Sequence, residues 1–353
     1  MTSKIAAIKQ HGQKIWLDNI SREFLASGNL QKMMQEDGIA GVTSNPAIFY
    51  KAISSDSRYQ EQLNELKKTN LTPLQRYEKM AVEDIKQACA IMQPLYQSSN
   101  TEDGYVSLEV SPDLCHDTDG TVKSALELWN AVNAPNLMIK VPATQAGVAA
   151  FVQLVILGLN VNITLLFSLP QVNAIWEAYI SALEKRAEQG LPIDKIKTVA
   201  SFFLSRIDSA VDPKLPESLQ GKTAINLARA AYLDYQKIFN SPRFNKLKDL
   251  GAKGQYLLWA STGTKNKNYS DVLYIEELIG DETINTVPDA TLDAYRDHGD
   301  AASRLTNGIQ NAATILAQIE QNGVNLIELG DKLQQEGLQS FIEAFDKLIE
   351  LVK

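Results

Sequence analysis

Short apolar runs alternate with longer stretches in which apolar residues recur every three or four positions. Eight runs stand out, at residues 14–19, 39–44, 104–110, 137–141, 160–166, 198–204, 255–261 and 283–288. Their centres are Val, Ile, Leu, Phe and Trp with little polar alternation, the pattern of strands buried on both faces of a parallel sheet. Between them, residues 21–36 carry Phe24, Leu25, Leu30, Met33 and Met34 at helical spacing. Pro73 opens a second helix, to residue 96, at the position where proline is best tolerated. Further helices are predicted over 121–133, 170–189, 223–239, 289–298, 301–321 and 325–353, with Gly190 and Gly280 near helix ends. The most apolar window, residues 147–169, is interrupted by Gln153, Gly158, Asn160 and Asn162. It reads as a buried helix, a turn and a strand rather than a membrane span, which needs about 20 largely unbroken apolar residues. Residues 240–254 read as an irregular, basic surface loop.

Eight strands alternating with helices predict an α/β fold of the (β/α)8 TIM-barrel type, with additional helices that include a long C-terminal helical segment. A doubly wound sheet is the alternative. No Pro/Gly/Ser linker divides the chain, so one domain is expected over residues 1–353. The C-terminal segment places Leu326, Leu329, Leu333, Leu338, Phe341, Phe345 and Leu348 on one stripe. That stripe fits a helix packed on its own barrel better than a docking element for a partner.

Composition narrows the function. The chain has 353 residues, 34 Lys+Arg against 42 Asp+Glu, and a net charge of −8, with 44% hydrophobic and 22% charged residues. These values exclude disordered, collagenous and coiled-coil classes. The acidic balance argues against a nucleic-acid partner, which needs a basic face. Cys89 and Cys115 alone cannot form a disulfide framework, and residues 1–9 have no apolar signal core, so a cytoplasmic protein without membrane association is expected. His11, His116 and His298 are scattered and make no metal spacing; neither metal nor organic cofactor is expected.

Several motif matches fail. Gly221-Lys222-Thr223 lacks the upstream glycine of a phosphate loop. Trp259-Ala260-Ser261-Thr262-Gly263 lacks the first glycine of a nucleophile elbow. Cys115-His116-Asp117 is a poor metal cluster, because adjacent residues rarely all point at one metal. The sequon at Asn162-Ile163-Thr164 falls inside a buried strand.

Polar residues at the ends of the apolar runs carry the chemistry. The carboxyl ends of barrel strands form the active-site face. Asp18 closes the first run, where an N-cap is the plainer reading. Asn45 follows the second and precedes Pro46, where a turn is the plainer reading. Glu109, Lys140, Asn162, Thr164, Ser201 and Arg206 lie in or just after later runs, with Asn162 and Thr164 on one strand face. Lys140, inside Leu137-Met138-Ile139-Lys140-Val141-Pro142, is the sharpest signal, because a buried ammonium is costly without a task or a paired carboxylate. At a pKa near 10.4, only about one free lysine in a thousand is neutral near neutral pH. Desolvation frees the amine to attack a carbonyl. A structural Lys140–Glu109 ion pair is the alternative.

These residues carry a family resemblance. Gly41-Val42-Thr43-Ser44-Asn45-Pro46-Ala47-Ile48-Phe49 resembles the first signature of transaldolases. The segment Leu137 to Thr144 resembles the one that holds the family's Schiff-base lysine. Asn162-Ile163-Thr164-Leu165-Leu166-Phe167-Ser168 resembles its fifth-strand motif, and Trp16-Leu17-Asp18 and Ser107-Leu108-Glu109-Val110 match in order. The length and C-terminal extension resemble the longer bacterial members. The resemblance implies transfer of a dihydroxyacetone unit from sedoheptulose 7-phosphate or fructose 6-phosphate to glyceraldehyde 3-phosphate or erythrose 4-phosphate, in the non-oxidative pentose phosphate pathway. It implies Lys140 as the Schiff-base lysine, Asp18 as the proton-transfer group at bond cleavage, and Glu109 with Thr164 as holders of a proton-shuttling water. Asn45 and Asn162 would bind substrate hydroxyls, Ser201 and Arg206 the distal phosphate, and Phe203 would line the pocket.

The partners implied are sugar phosphates, with a monomer or homodimer as the assembly. In fructose-6-phosphate aldolase-like relatives Gln and Tyr stand where this chain has Glu109 and Phe203, which favours transaldolase. One departure concerns the phosphate-binding arginine after the seventh strand of shorter members. Here the segment reads Ala260-Ser261-Thr262-Gly263-Thr264-Lys265, and Lys265 or Lys267 is the expected substitute.

Overall fold

The computed structural model describes residues 3–353. Eight parallel strands close into a ring in chain order: β1 (Gln13–Leu17), β2 (Gly41–Val42), β3 (Tyr105–Glu109), β4 (Leu137–Pro142), β5 (Val161–Leu166), β6 (Thr198–Phe203), β7 (Tyr256–Ala260) and β8 (Thr283–Val287). Each matches one predicted run to within two residues. β8 pairs back onto β1, with Gln13 opposite Thr283, so the sheet has no free edge. The (β/α)8 barrel is therefore the observed fold.

Alternation along each strand sends every second side chain inward. Trp16, nearly fully buried, fills the barrel beside Gly41. A Cβ at Gly41 would sit 2.5 Å from the indole, so only glycine fits there. Below, at the amino ends of the strands, ion pairs close the barrel floor. Lys14 reaches Asp103 at 2.7 Å, and Glu102 receives Lys197 at 2.8 Å and Lys253 at 3.0 Å. The floor loop holds Asn100 and Thr101 in left-handed backbone, at φ +54° and +62°. Lys253 Nζ donates to both of their carbonyls, which secures that conformation.

The helices follow the predicted stretches with four differences. Residues 21–36 form two helices, Arg22–Ala26 and Asn29–Glu36, because Gly28 turns left-handed between them at φ +76°. Residues 240–254 are not all loop: Ser241 caps a helix over Pro242–Lys248. Residues 301–308 are not helical, and that helix proper begins at Ala312. Helices over Pro46–Ser55 and Gln60–Lys67, absent from the periodic reading, fill the connection after β2.

The C-terminal helix, Leu326–Val352, lies across the carboxyl end of the barrel. Its buried stripe (Leu333, Leu338, Phe341, Phe345, Leu348) packs on the helix Pro46–Ser55, the helix Pro73–Ser98 and β5. Burial of each such side chain is worth about 1.5–3 kcal/mol. Close approach is made possible by Gly330 and Gly337. A Cβ at Gly330 would meet the Ser168 Cβ at 2.6 Å, and one at Gly337 would meet Leu165 Cδ2 at 2.9 Å. Among the described residues no helix is long and apolar enough to cross a membrane.

Candidate active site

Strand register assembles the site. Glu109 of β3 stands opposite Lys140 of β4, and Lys140 stands opposite Asn162 of β5. The three form one inward-facing row at the barrel mouth. Lys140 Nζ lies 3.3 Å from Glu109 Oε2 and donates to the Ser44 carbonyl at 3.2 Å. The Phe341 ring of the C-terminal helix lies 5.2 Å from the ammonium, supplying a cation–π contact on its remaining side. Burial pushes the Glu109 carboxyl up to about 7, with Lys140 pulling it down and Asp18 adding to the rise.

Asp18 follows β1 directly. Thr43 Oγ1 donates to its carboxylate at 2.7 Å. With that hydrogen committed, the 2.6 Å contact between Thr43 and Thr286 places Thr286 as donor to Thr43. The chain Thr286–Thr43–Asp18 therefore fixes the carboxylate from β8 through the loop after β2. Burial raises the Asp18 pKa above the ordinary carboxylate range, against Lys140 and the Thr43 hydrogen bond.

Two hydroxyls fix Asn162. Its Nδ2 donates to Ser107 Oγ at 3.2 Å, and Ser201 Oγ donates to its Oδ1 at 2.6 Å. Asn45 caps the helix Pro46–Ser55, its Oδ1 accepting from the Ile48 N–H at 3.0 Å. Its amide group is left facing the cavity that it lines. The turn reading and the site reading of Asn45 thus describe one geometry. Thr164 Oγ1 is buried with no hydrogen-bond partner among the described residues and borders the same cavity. An unpaired buried hydroxyl is costly and marks a position for a bound polar group.

The cavity, about 130 Å³, is bordered by Asp18, Asn45, Lys140, Asn162, Thr164, Ser201, Phe203 and Arg206. A groove of about 1040 Å³ beside Arg296 is larger, but it is a surface feature lined by charges already paired, such as Arg296 with Asp37. In the mouth cavity, polar groups from several strand ends converge. Arg206 is half-buried and has no carboxylate within 4 Å among the described residues. Its guanidinium stands 5.7 Å from the Phe203 ring, which in turn packs on Phe167. An arginine set beside an aromatic ring, with Glu336 close enough to act on it but outside salt-bridge distance, suits an anionic ligand.

Two expected phosphate ligands sit differently. Ser201 has its single hydrogen committed to Asn162, so only lone pairs face the cavity, and these repel an anion. Lys265 is not at the mouth. Ser261 takes a left-handed turn at φ +54° after β7, and the chain leads Lys265 to a separate cavity of about 350 Å³ with Asp208, Asp212, Tyr269 and Tyr274.

Sequence reasoning missed Thr43, Thr286, Ser261 and Phe341, which all border the mouth cavity. Inward parity on β8 points to Thr286, and the apolar stripe contains Phe341 without showing which strand end it covers. Cys115 is buried, and burial raises its thiol pKa.

Fold and cavity define a (β/α)8-barrel protein whose mouth is built around a buried lysine paired with a carboxylate. Residues 15–352 match the family model for transaldolase/fructose-6-phosphate aldolase, and the chain belongs to that family. It is 48% identical over 345 residues to a transaldolase of Neisseria meningitidis, with 98% of each chain covered. It is 46% identical over 349 residues to a transaldolase of Thiobacillus denitrificans, with 97% of each covered. A protein of Nostoc punctiforme named transaldolase 2 is 44% identical over 368 residues, covering 99% of this chain and 96% of its own.

Proposed function

We propose that this protein is a transaldolase that works through a Schiff base on Lys140. It moves a dihydroxyacetone unit from sedoheptulose 7-phosphate or fructose 6-phosphate to glyceraldehyde 3-phosphate or erythrose 4-phosphate, the pentose phosphate pathway reaction of its family. The single observation that carries the mechanism is the buried Lys140–Glu109 pair at the mouth, 3.3 Å apart, beside a third group suited to proton transfer, Asp18.

The pair supplies the first step. Glu109 takes a proton from the Lys140 ammonium, and the neutral amine adds to the ketose carbonyl. The carbinolamine loses water to give an iminium. A carboxyl with a pKa near 7 accepts and returns protons at neutral pH, which is the condition for efficient general acid–base catalysis. The unpartnered Thr164 hydroxyl, with Glu109, holds the shuttling water. Asp18 then takes the hydroxyl proton on the carbon that becomes the aldehyde. The carbon–carbon bond breaks and its electron pair enters the iminium, giving an enamine. Attack on the acceptor aldehyde returns the proton from Asp18, and water releases the new ketose.

Asn162, fixed by Ser107 and Ser201, and the free amide of Asn45 orient the three-carbon unit. Arg206 binds the distal phosphate, while Ser201 acts by holding Asn162. Residues 3–353 act as one domain, a reading supported by closure of β8 on β1 and by the C-terminal helix across the mouth.

Borohydride trapping with fructose 6-phosphate tests this. A reduced three-carbon adduct is expected on Lys140 by peptide mass spectrometry, and erythrose 4-phosphate should discharge the unit as sedoheptulose 7-phosphate. Folded protein that leaves Lys140 unmodified would refute the mechanism. Release of free dihydroxyacetone in place of transfer would make it an aldolase.

A further inference from the structure

The C-terminal helix does more than cover the mouth. Almost one turn before Gly337, Gln334 directs its side-chain amide toward the barrel and donates both hydrogens, one to the Ala143 carbonyl and one to the Leu165 carbonyl, each at 3.0 Å. Those carbonyls belong to the exits of two neighbouring strands: Ala143 follows β4, three residues after Lys140, and Leu165 follows Thr164 in β5. The Ala143 N–H donates to the Thr164 carbonyl at 2.8 Å, so the same two exits are tied at a third point.

The backbone held this way is unusual. Leu165 has φ +66°, the left-handed region that side chains with a Cβ seldom occupy. The β5–β6 register shifts between Ile163 and Leu166, so the irregularity spans the position that carries the Thr164 hydroxyl. Backbone of this kind persists only where surrounding contacts over-determine it. The Gln334 clamp is one such contact, and Thr164 is the residue it aims.

We infer that Gln334 is a positioning residue for catalysis: by clamping the β4 and β5 exits it holds Leu165 left-handed and keeps the Thr164 hydroxyl in register with Lys140 during iminium formation. The inference rests on the Lys140 mechanism proposed above. Gln334 touches neither Lys140 nor the cavity, so it acts through Thr164.

The experiment compares wild type, Gln334→Met, Thr164→Ala and the double variant. Methionine keeps the length and packing and loses both donors. The readout is the rate at which the borohydride-trapped adduct appears on Lys140 under single-turnover conditions with saturating fructose 6-phosphate, with KM measured alongside. Gln334→Met should slow adduct formation about tenfold with KM within about twofold of wild type, a loss of the size that misplaced catalytic groups produce. In the Thr164→Ala background the same change should cost little, because two residues acting through one group are not additive.

Gln334→Asn, whose amide is one methylene short, should fall between wild type and Gln334→Met, and it carries the test if the methionine variant does not fold. An unchanged rate in a folded variant overturns the inference, as does a full loss in both backgrounds or a change confined to KM. A wild-type enzyme that forms no adduct on Lys140 overturns the mechanism itself and this inference with it. A wild-type adduct with an unaffected Gln334→Met overturns only the role of Gln334.

Discussion

Glu109 and Lys140 stand 3.3 Å apart, and the proton transfer between them in the proposed mechanism sets a pH dependence. Below about pH 7 the raised Glu109 carboxyl is protonated, so nothing stands ready to take the lysine's proton. The expected profile of kcat/KM therefore rises with pH through about 7 and levels off above it. Glu109→Gln should remove that limb and lower kcat by about 100-fold or more, the usual scale for a general acid–base group. A stopped-flow pH series on both proteins checks this. Asp18→Asn should separate the two halves of the reaction. Adduct formation on Lys140 should survive, while cleavage and transfer fall about 100-fold or more, measured as trapped six-carbon rather than three-carbon adduct by mass spectrometry. Most of these residues were legible because each places a polar group at the end of an apolar run. Phe341 was not, since an apolar residue on an apolar stripe gives no hint of standing 5.2 Å from an ammonium. Lys265 was misplaced for the opposite reason: a cation near a phosphate-binding segment looks right in one dimension, and only the turn at Ser261 shows where it goes.

At the scale of elements, the C-terminal helix depends on two glycines that let it approach the β5 loop. Gly330→Ala gains helix propensity of about 1 kcal/mol, but its Cβ meets the Ser168 Cβ at 2.6 Å, an atom next to backbone that cannot swing away. Overpacking of this kind costs about 1–3 kcal/mol, so the net effect should be a small loss of stability. The helix should lift at that point, and kcat should fall more than the melting temperature indicates, since Gln334 and Phe341 move with it. Thermal melts beside steady-state kinetics check the pair of expectations. Strands were legible to within two residues because a parallel barrel buries both faces of every strand. Helix boundaries were less so. The break at Gly28 and the loss of helix over 301–308 are set by tertiary placement, and the helix at Pro46–Ser55 hides behind an Asn-Pro pair that reads equally as a turn or as a cap and first turn.

The whole molecule is a barrel with chemistry at one end and a charged floor at the other. In the floor, burial works against Glu102 ionising, but Lys197, Lys253 and Lys14 prevail and hold its pKa at about 2. A carboxyl depressed below its ordinary value of 4.5 adds stability above that pH and loses it as pH falls toward 2. Lys197 has the reverse sign. Burial lowers it to about 8 despite Glu102, so charging it in the folded state is a cost, relieved as pH rises from 8 toward 10.5. Urea midpoints should therefore decline between about pH 4.5 and pH 2. Glu102→Gln should flatten that decline and start about 2 kcal/mol lower at neutral pH, the cost of leaving the buried Lys197 and the largely buried Lys14 and Lys253 without their shared carboxylate.

The hydrogen-bonded chain from Thr286 through Thr43 to Asp18 crosses the seam where β8 meets β1. Its two ends are separated by most of the polypeptide, so the chain cannot form until the last strand has docked on the first. Contacts of such long sequence separation are slow to form. On dilution from denaturant, indole fluorescence from Trp176, buried between neighbouring helices, should recover early. Turnover should return later, with the rate constant of ring closure. A chain with its helices packed and its ring still open would have Lys140 in place but would leave the Thr43–Asp18 contact without its Thr286 end.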